Sequence, residues 1–325
     1  MKNVFIIAAA SALVSVGCAK ENLCQETVPN KTVSVDISVP VATMTKVTDL
    51  SDETKVNSLQ IFLFRENGML EGYKSVAAAN VSFDCSTGIK DIAAVVNAPE
   101  IKDVKTFQSL KEQISDLRDN SAGAFVMYGT KRQQISEAAT SVSVDVSRLV
   151  SRVSITQITN SFELEQYRQS KFELKRIYLV NVAGNKEYGG TAEATSWYNK
   201  GKLDEQAETL QLISSGNIEN SELNYSSVYN TAHYFYCYPN SATDENAQSM
   251  RQSPTRLVVE MAIDGAVYYY PVTIPDIDSN HSYNVKLNIK RLGSLAPDIP
   301  VEFETAGFTI NVQDWVTGFD KEVTI

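Results

Sequence analysis

Histidine is nearly missing from this chain, with two in 325 residues. Cys and His show no metal spacing, no Gly-rich loop cradles a phosphate, and no Gly-x-Ser-x-Gly turn presents a nucleophile. No enzymatic activity, cofactor or metal is expected. His233 sits in a Tyr-rich strand and His281 opens the strand SYNVKLNI, so both read as structural. Basic clusters are missing as well. The 29 Lys and Arg against 39 Asp and Glu give a formal net charge of −10. Nucleic acid needs a basic face, so it is excluded as a partner, and anionic lipid surfaces are disfavoured. No Pro- or Gly-rich linker marks a domain boundary, and no solenoid period repeats. Cysteine is scarce, with four. Cys18 and Cys24 lie in the N-terminal segment, while Cys85 and Cys237 are far apart in sequence and are expected to be buried free thiols.

Enough apolar material is present for a folded protein, at 43% hydrophobic residues. The opening MKNVFIIAAASALVSVGC places Lys2 before an apolar run, Val4 to Val14, that is too short to span a bilayer. Small residues then lead into Cys18. This is the pattern of a lipoprotein export signal, residues 1–17, with acyl chains such as palmitate on Cys18. The polar stretch Ala19 to Lys31 reads as a tether. At Val33 alternation begins: Val33, Val35, Ile37, Val39 and Val41 occupy every second position, a half-buried strand with a β-branched face. Pro40 cannot donate to a ladder, so the strand should lie at a sheet edge or end there. A polar loop with Lys46 follows.

Leu59 to Phe64 and Leu70 to Val76 flank Asn67-Gly68, a strong hairpin signal. Asp91 to Asn97 reads as a buried strand. One helix is expected from about Val104 to Arg118, with Phe107, Leu110, Ile114 and Leu117 on one face. Val142, Val144 and Val146 alternate into SRLVSRVSITQI, and further strand-like runs begin near residues 172, 233, 255, 266 and 282. Many short strands with little helix predict two antiparallel β-sandwich domains, 47–147 and 148–325, behind a segment 18–46 of tether and first strand. At the C-terminus Phe308, Ile310 and Val312 alternate, after which Trp315, Phe319, Val323 and Ile325 fall on odd positions. The shift requires a break near Gln313-Asp314. Such an apolar tail is either tied into its own sheet or destined for another's.

Two clusters have bland readings. Asp276-Ile277-Asp278-Ser279-Asn280 begins like a calcium loop, but His281 replaces Gly and Leu287 stands where a bidentate Glu belongs, so it is read as a turn. Tyr225, Tyr229, Tyr234, Tyr236, Tyr238, Tyr268, Tyr269 and Tyr270 would suit an aromatic binding platform, yet Tyr is also favoured in half-buried strands, and that reading is preferred.

The lipobox, the strand followed by a basic residue, SDETKVNSLQIFLFRENGMLEGYKS, DIAAVVNAP, SRLVSRVSI and FTINVQDWV, in that order, resemble the FimA-type fimbrillins, major subunits of type V pili. The resemblance implies tandem transthyretin-like sandwiches with one or two short helices and a structural polymer as the function. It implies a lipidated precursor at the outer membrane, cut by a protease after the first strand and delivered into a surface fimbria that supports adhesion. The cut falls on Lys46, where the family more often has Arg. The emptied groove would take the C-terminal strand of another copy, carrying Phe308, Ile310, Val312, Trp315, Phe319, Val323 and Ile325. Implied partners are other copies, accessory fimbrial subunits, the processing protease and a host protein or glycan receptor. The alternatives are a tip or anchor subunit, or a monomeric glycan-binding surface lipoprotein.

Overall fold

A computed structural model describes residues 31–40, 53–138, 141–207, 210–219, 222–243, 253–301, 306–314 and 321–323. The first half runs through β1 (Thr32–Ser38), β2 (Leu59–Arg65), β3 (Leu70–Val76), β4 (Asn80–Ser86), β5 (Gly88–Val96), α1 (Phe107–Lys111), β6 (Ile114–Asp116), β7 (Met127–Ile135), β8 (Ser141–Ser143) and β9 (Ser147–Arg148). The second runs through β10 (Ser151–Asn160), β11 (Phe172–Val180), β12 (Val182–Ala183), β13 (Asn185–Glu187), β14 (Trp197–Tyr198) and α2 (Leu210–Ile213). It continues through β15 (Val228–Tyr229), β16 (His233–Cys237), β17 (Arg256–Ile263), β18 (Ala266–Thr273), β19 (His281–Ile289), β20 (Ala306–Asp314) and β21 (Lys321–Val323).

Two sheets face each other in each half. A three-stranded sheet, β4-β1-β8, covers one face of a five-stranded sheet, β3-β2-β5-β7-β9. Val35, Ile37, Phe83 and Val142 from the small sheet meet Ile61, Leu63, Ile92 and Ala94 from the large one. The other face of the large sheet, with Phe62, Phe64, Ala93 and Val95, joins a second core shared with β10, β11, β17 and β19. Strands β2 and β5 are therefore buried on both sides, which explains why LQIFLF and DIAAVV read as unbroken apolar runs. In the second half, β15-β10-β19-β20-β21, with β16 also on β10, packs over β11-β17-β18. Leu257, Val259, Met261 and Ile263 of β17 point into the common core, whereas Val258 packs on the opposite face with Tyr178 and Val180.

The hairpin forms at Asn67-Gly68 because Gly68 accepts φ +79°, and its N–H donates to Arg65 O at 2.8 Å. The expected helix stops early. Thr106 caps α1 by accepting from the Ser109 N–H, and the helix ends at Lys111. Residues 114–116 become β6, which pairs with β13 of the second half. The Leu117 N–H donates to Gly184 O at 2.8 Å and the Tyr188 N–H to Gln113 O at 3.0 Å. Of the expected helical face, Leu110 and Leu117 are buried, Phe107 packs partly against the core, and Ile114 is 57% exposed. A strand shared between the halves outweighed the local helical spacing. Of the two outcomes Pro40 left open for β1, a sheet edge or a strand end, the second is the one found. The strand lies in the middle of its sheet and ends at Ser38, so the missing N–H of Pro40 falls beyond the paired residues.

Candidate assembly site

The alternation of TVSVDIS fixes which face of β1 is covered. Val35 and Ile37 are 1% and 0% exposed, Val33 is half-buried, and Val39 just beyond the strand is buried. Val33, Val35 and Ile37 stand opposite Cys85, Phe83 and Val81 of antiparallel β4, and Ile37 also pairs with Val142 of parallel β8. Backbone bonds continue past the strand ends: Thr87 N–H to Lys31 O, Val39 N–H to Ala79 O and Val144 N–H to Ser38 O, each 2.9 Å. Both neighbours of β1 depend on it for their ladder partners. Burying Val35, Ile37 and Val39 stabilises this sandwich by roughly 1.5–3 kcal/mol per side chain. Phe83 and Cys85 of β4 beside it share its core with Val144 and with Ile61 and Leu63 of the facing β2. Burial pushes the Cys85 thiol pKa up, and Cys237, in the other core, is pushed up to about 12 by the same cause. Both thiols are free, as expected. Val41, Lys46 and Cys18 lie outside the described residues.

At the other end of the chain, β20 pairs in register with β19 over nine residue pairs, and β21 pairs with β20 over three. Phe308, Ile310 and Val312 are all in β20, and Ile310 is 1% exposed within the core of its own half. Val323 is in β21 opposite Ile310. Strand β20 ends at Asp314, where the apolar parity changes. Trp315, Phe319 and Ile325 lie outside the described residues.

Sequence reasoning missed a buried polar cluster between the two halves. The Glu53 carboxylate is 2% exposed; it accepts from Arg152 at 2.8 Å and from the Tyr236 hydroxyl at 2.7 Å. Arg148 Nε donates to the Glu53 carbonyl at 2.9 Å, and Arg152 Nε donates to Ser282 Oγ at 3.2 Å. Burial beside the Glu53 carboxylate pushes the Tyr236 phenol pKa up. Nearby, the Tyr238 hydroxyl meets Ser115 Oγ at 2.8 Å and accepts from Asn120 Nδ2 at 3.0 Å. The tyrosines thus divide: Tyr236, Tyr238 and Tyr270 are buried, Tyr229 stacks on His233, and Tyr225 lies under Arg168. Burial lowers the His233 pKa, and its Nε2 meets the Tyr229 hydroxyl at 2.7 Å. The 276–280 turn is tied to the segment between β9 and β10: Ser279 Oγ donates to Leu149 O at 2.9 Å and the Asn280 N–H to Val150 O at 3.0 Å.

Residues 32–147, beginning at the first residue of β1, match the model of the family "Major fimbrial subunit protein (FimA)". No curated protein matches the chain. Among solved structures it is similar to a proposed cell adhesion protein from Bacteroides eggerthii, with TM-score 0.69 and 17% identity over 89% of this chain and 97% of that one. It is also similar to a fimbrilin (FimA) from Porphyromonas gingivalis, with TM-score 0.62 and 15% identity over 87% and 97%. The C-terminally truncated tip fimbrial protein Mfa3 from the same organism gives TM-score 0.52 and 13% identity over 88% and 100%. At these identities the shared property is the fold, mainly β and built from facing sheets. The resemblance read from the sequence to FimA-type fimbrillins stands in the matched segment.

Proposed function

We propose that the chain is a structural subunit of an adhesive surface fimbria, made as a lipoprotein anchored at the outer membrane through Cys18 and cut after Lys46. The emptied groove of the first domain, 47–147, then takes the C-terminal tail of another copy's second domain, 148–325. The observation that carries this reading is the place of β1. A strand near the N-terminus is the middle member of its sheet, so a cut after Lys46 removes the centre and leaves the outer strands intact. The result is two facing ladder edges one strand apart over an apolar floor, an acceptor for β-strand addition. The FimA match over the same strands and the likeness to a fimbrilin support it. Other copies, accessory subunits and a processing protease are the partners.

Cys85 reports on the groove. After a cut at Lys46 only Cys85 and Cys237 remain in the chain. In the uncut protein Cys85 should resist a thiol reagent; after the cut it should react, and after assembly it should be protected again, with Cys237 inert throughout. Lys46→Ala should stay monomeric and unreactive, with a palmitate label staying on the uncut chain, whereas in wild type the label parts from the chain with residues 18–46. Fibres formed by Lys46→Ala, or Cys85 that stays inert after β1 is gone, would refute the reading.

A further inference from the structure

The tripeptide Thr-Lys-Val occurs twice in quick succession, at 45–47 and 54–56, and no other Lys or Arg lies between the two lysines. A protease that reads a lysine and its immediate neighbours meets the same side chains at both bonds. A cut after Lys55 would do damage. It would strip Glu53 from the seam between the halves and leave Arg152 and Tyr236, each 5% exposed, without that carboxylate.

We propose that the buried Glu53 cluster, together with Asn97, sets the point where N-terminal trimming stops, by holding the Lys55–Val56 bond in a form no protease can engage. The proposal rests on the reading of Lys46 as the processing site. Although the Lys55 side chain is exposed, its backbone is held on both sides. Upstream, the Glu53 carboxylate is bound by Arg152 and Tyr236, and its carbonyl by Arg148. The carbonyl that a protease would attack, Lys55 O, already accepts from Asn97 Nδ2 at 2.7 Å. Downstream, Val56 packs against the first sandwich core, and the N–H groups of Asn57 and Ser58 donate to Asn97 Oδ1 at 2.8 and 3.3 Å. Asn57 Nδ2 adds a bond to Gly123 O at 2.8 Å. A protease needs extended chain with a free carbonyl, so cleavage here follows the population of a locally opened state. The sequence is permissive at both lysines, and the fold discriminates at the second.

The test is a timed digest of the full chain with a lysine-specific protease, read by intact mass and N-terminal sequencing. Wild type should give a new N-terminus at Val47 and none at Val56. Glu53→Gln keeps the shape and removes the charge. Asn97→Gly frees the Lys55 carbonyl, and glycine suits the φ of +58° at that position. In each variant cleavage after Lys55 should rise at least about tenfold, while bonds inside β5 and β7 stay resistant. Equal cutting after Lys46 and Lys55 in wild type would overturn the proposal, as would variants as resistant at Lys55 as wild type. Cutting throughout the strands of both variants at the rate seen at Lys55 would show a general loss of fold and would overturn it too. If wild type resists at both lysines while the variants open at Lys55, the guard stands and the reading of Lys46 fails.

Discussion

Glu71 on β3 shows how a single carboxylate ties the first sandwich to pH. Burial alone would raise its pKa. Bonds from Lys90 Nζ at 2.6 Å and from the Ser86 N–H and hydroxyl, both 2.7 Å, outweigh that and hold it at about 2 instead of 4.5. A folded-state pKa below the unfolded one contributes stability that is complete above pH 4.5 and lost as pH falls through 2. Glu71→Gln leaves Lys90, 2% exposed, without its counter-charge, and should cost about 3–5 kcal/mol at neutral pH. Urea melts of the variant should depend less on pH between 4.5 and 2 than those of wild type; parallel curves would show that Glu71 does not carry this dependence. Neither Glu71 nor Glu53 could be singled out from sequence. In SRLVSRVSI the two arginines look like the wet side of an alternating strand, yet both are buried: Arg152 of β10 is covered at the Glu53 carboxylate, and Arg148 of β9 at the Glu53 carbonyl.

At the scale of elements, legibility follows the number of covered faces. Strand β1 has one buried face and one exposed, so its alternation could be read directly. Strands β2 and β5 are covered twice, and length with turn residues located them. What could not be read was β6, since its identity is decided by β13, some seventy residues later. The same distance effect hid the central position of β1 between β4 and β8. Strand β7 supplies a sharp test of packing next to the groove. A Cβ on Gly129 would lie 1.9 Å from the Asp145 carbonyl oxygen and 3.0 Å from Val146 Cα, both backbone atoms. Gly129→Ala must therefore push away the link between β8 and β9, and a destabilisation of at least about 1–3 kcal/mol is expected in chemical denaturation. An unchanged midpoint would show that this link yields freely, and with it the β8 wall of the groove.

On the proposed assembly, the question for the whole molecule is what a subunit gives up in order to donate. The chain after a cut at Lys46 has 325 − 46 = 279 residues. Its second half holds β20 by nine residue pairs and by the buried Ile310, whereas β21 is held by three pairs at the sheet edge. Releasing β20 would open a core, and releasing β21 would not disturb the β19–β20 ladder. In the proposed exchange the outer part of the tail is thus the segment whose transfer asks least of the donor, and its entry into the groove left by β1 would bury apolar side chains at roughly 1.5–3 kcal/mol each. A chain ending at Asp314 should keep its melting temperature within about 2 °C, because the β19–β20 ladder remains. Once cut after Lys46 it should still accept a tail but offer none, so mixing it with cut wild type should shorten fibres in proportion to its share. Mean fibre length in electron micrographs checks this. Undiminished fibres would place the donor in Phe308 to Val312, and β20 would then have to leave β19 and take Ile310 out of its own core.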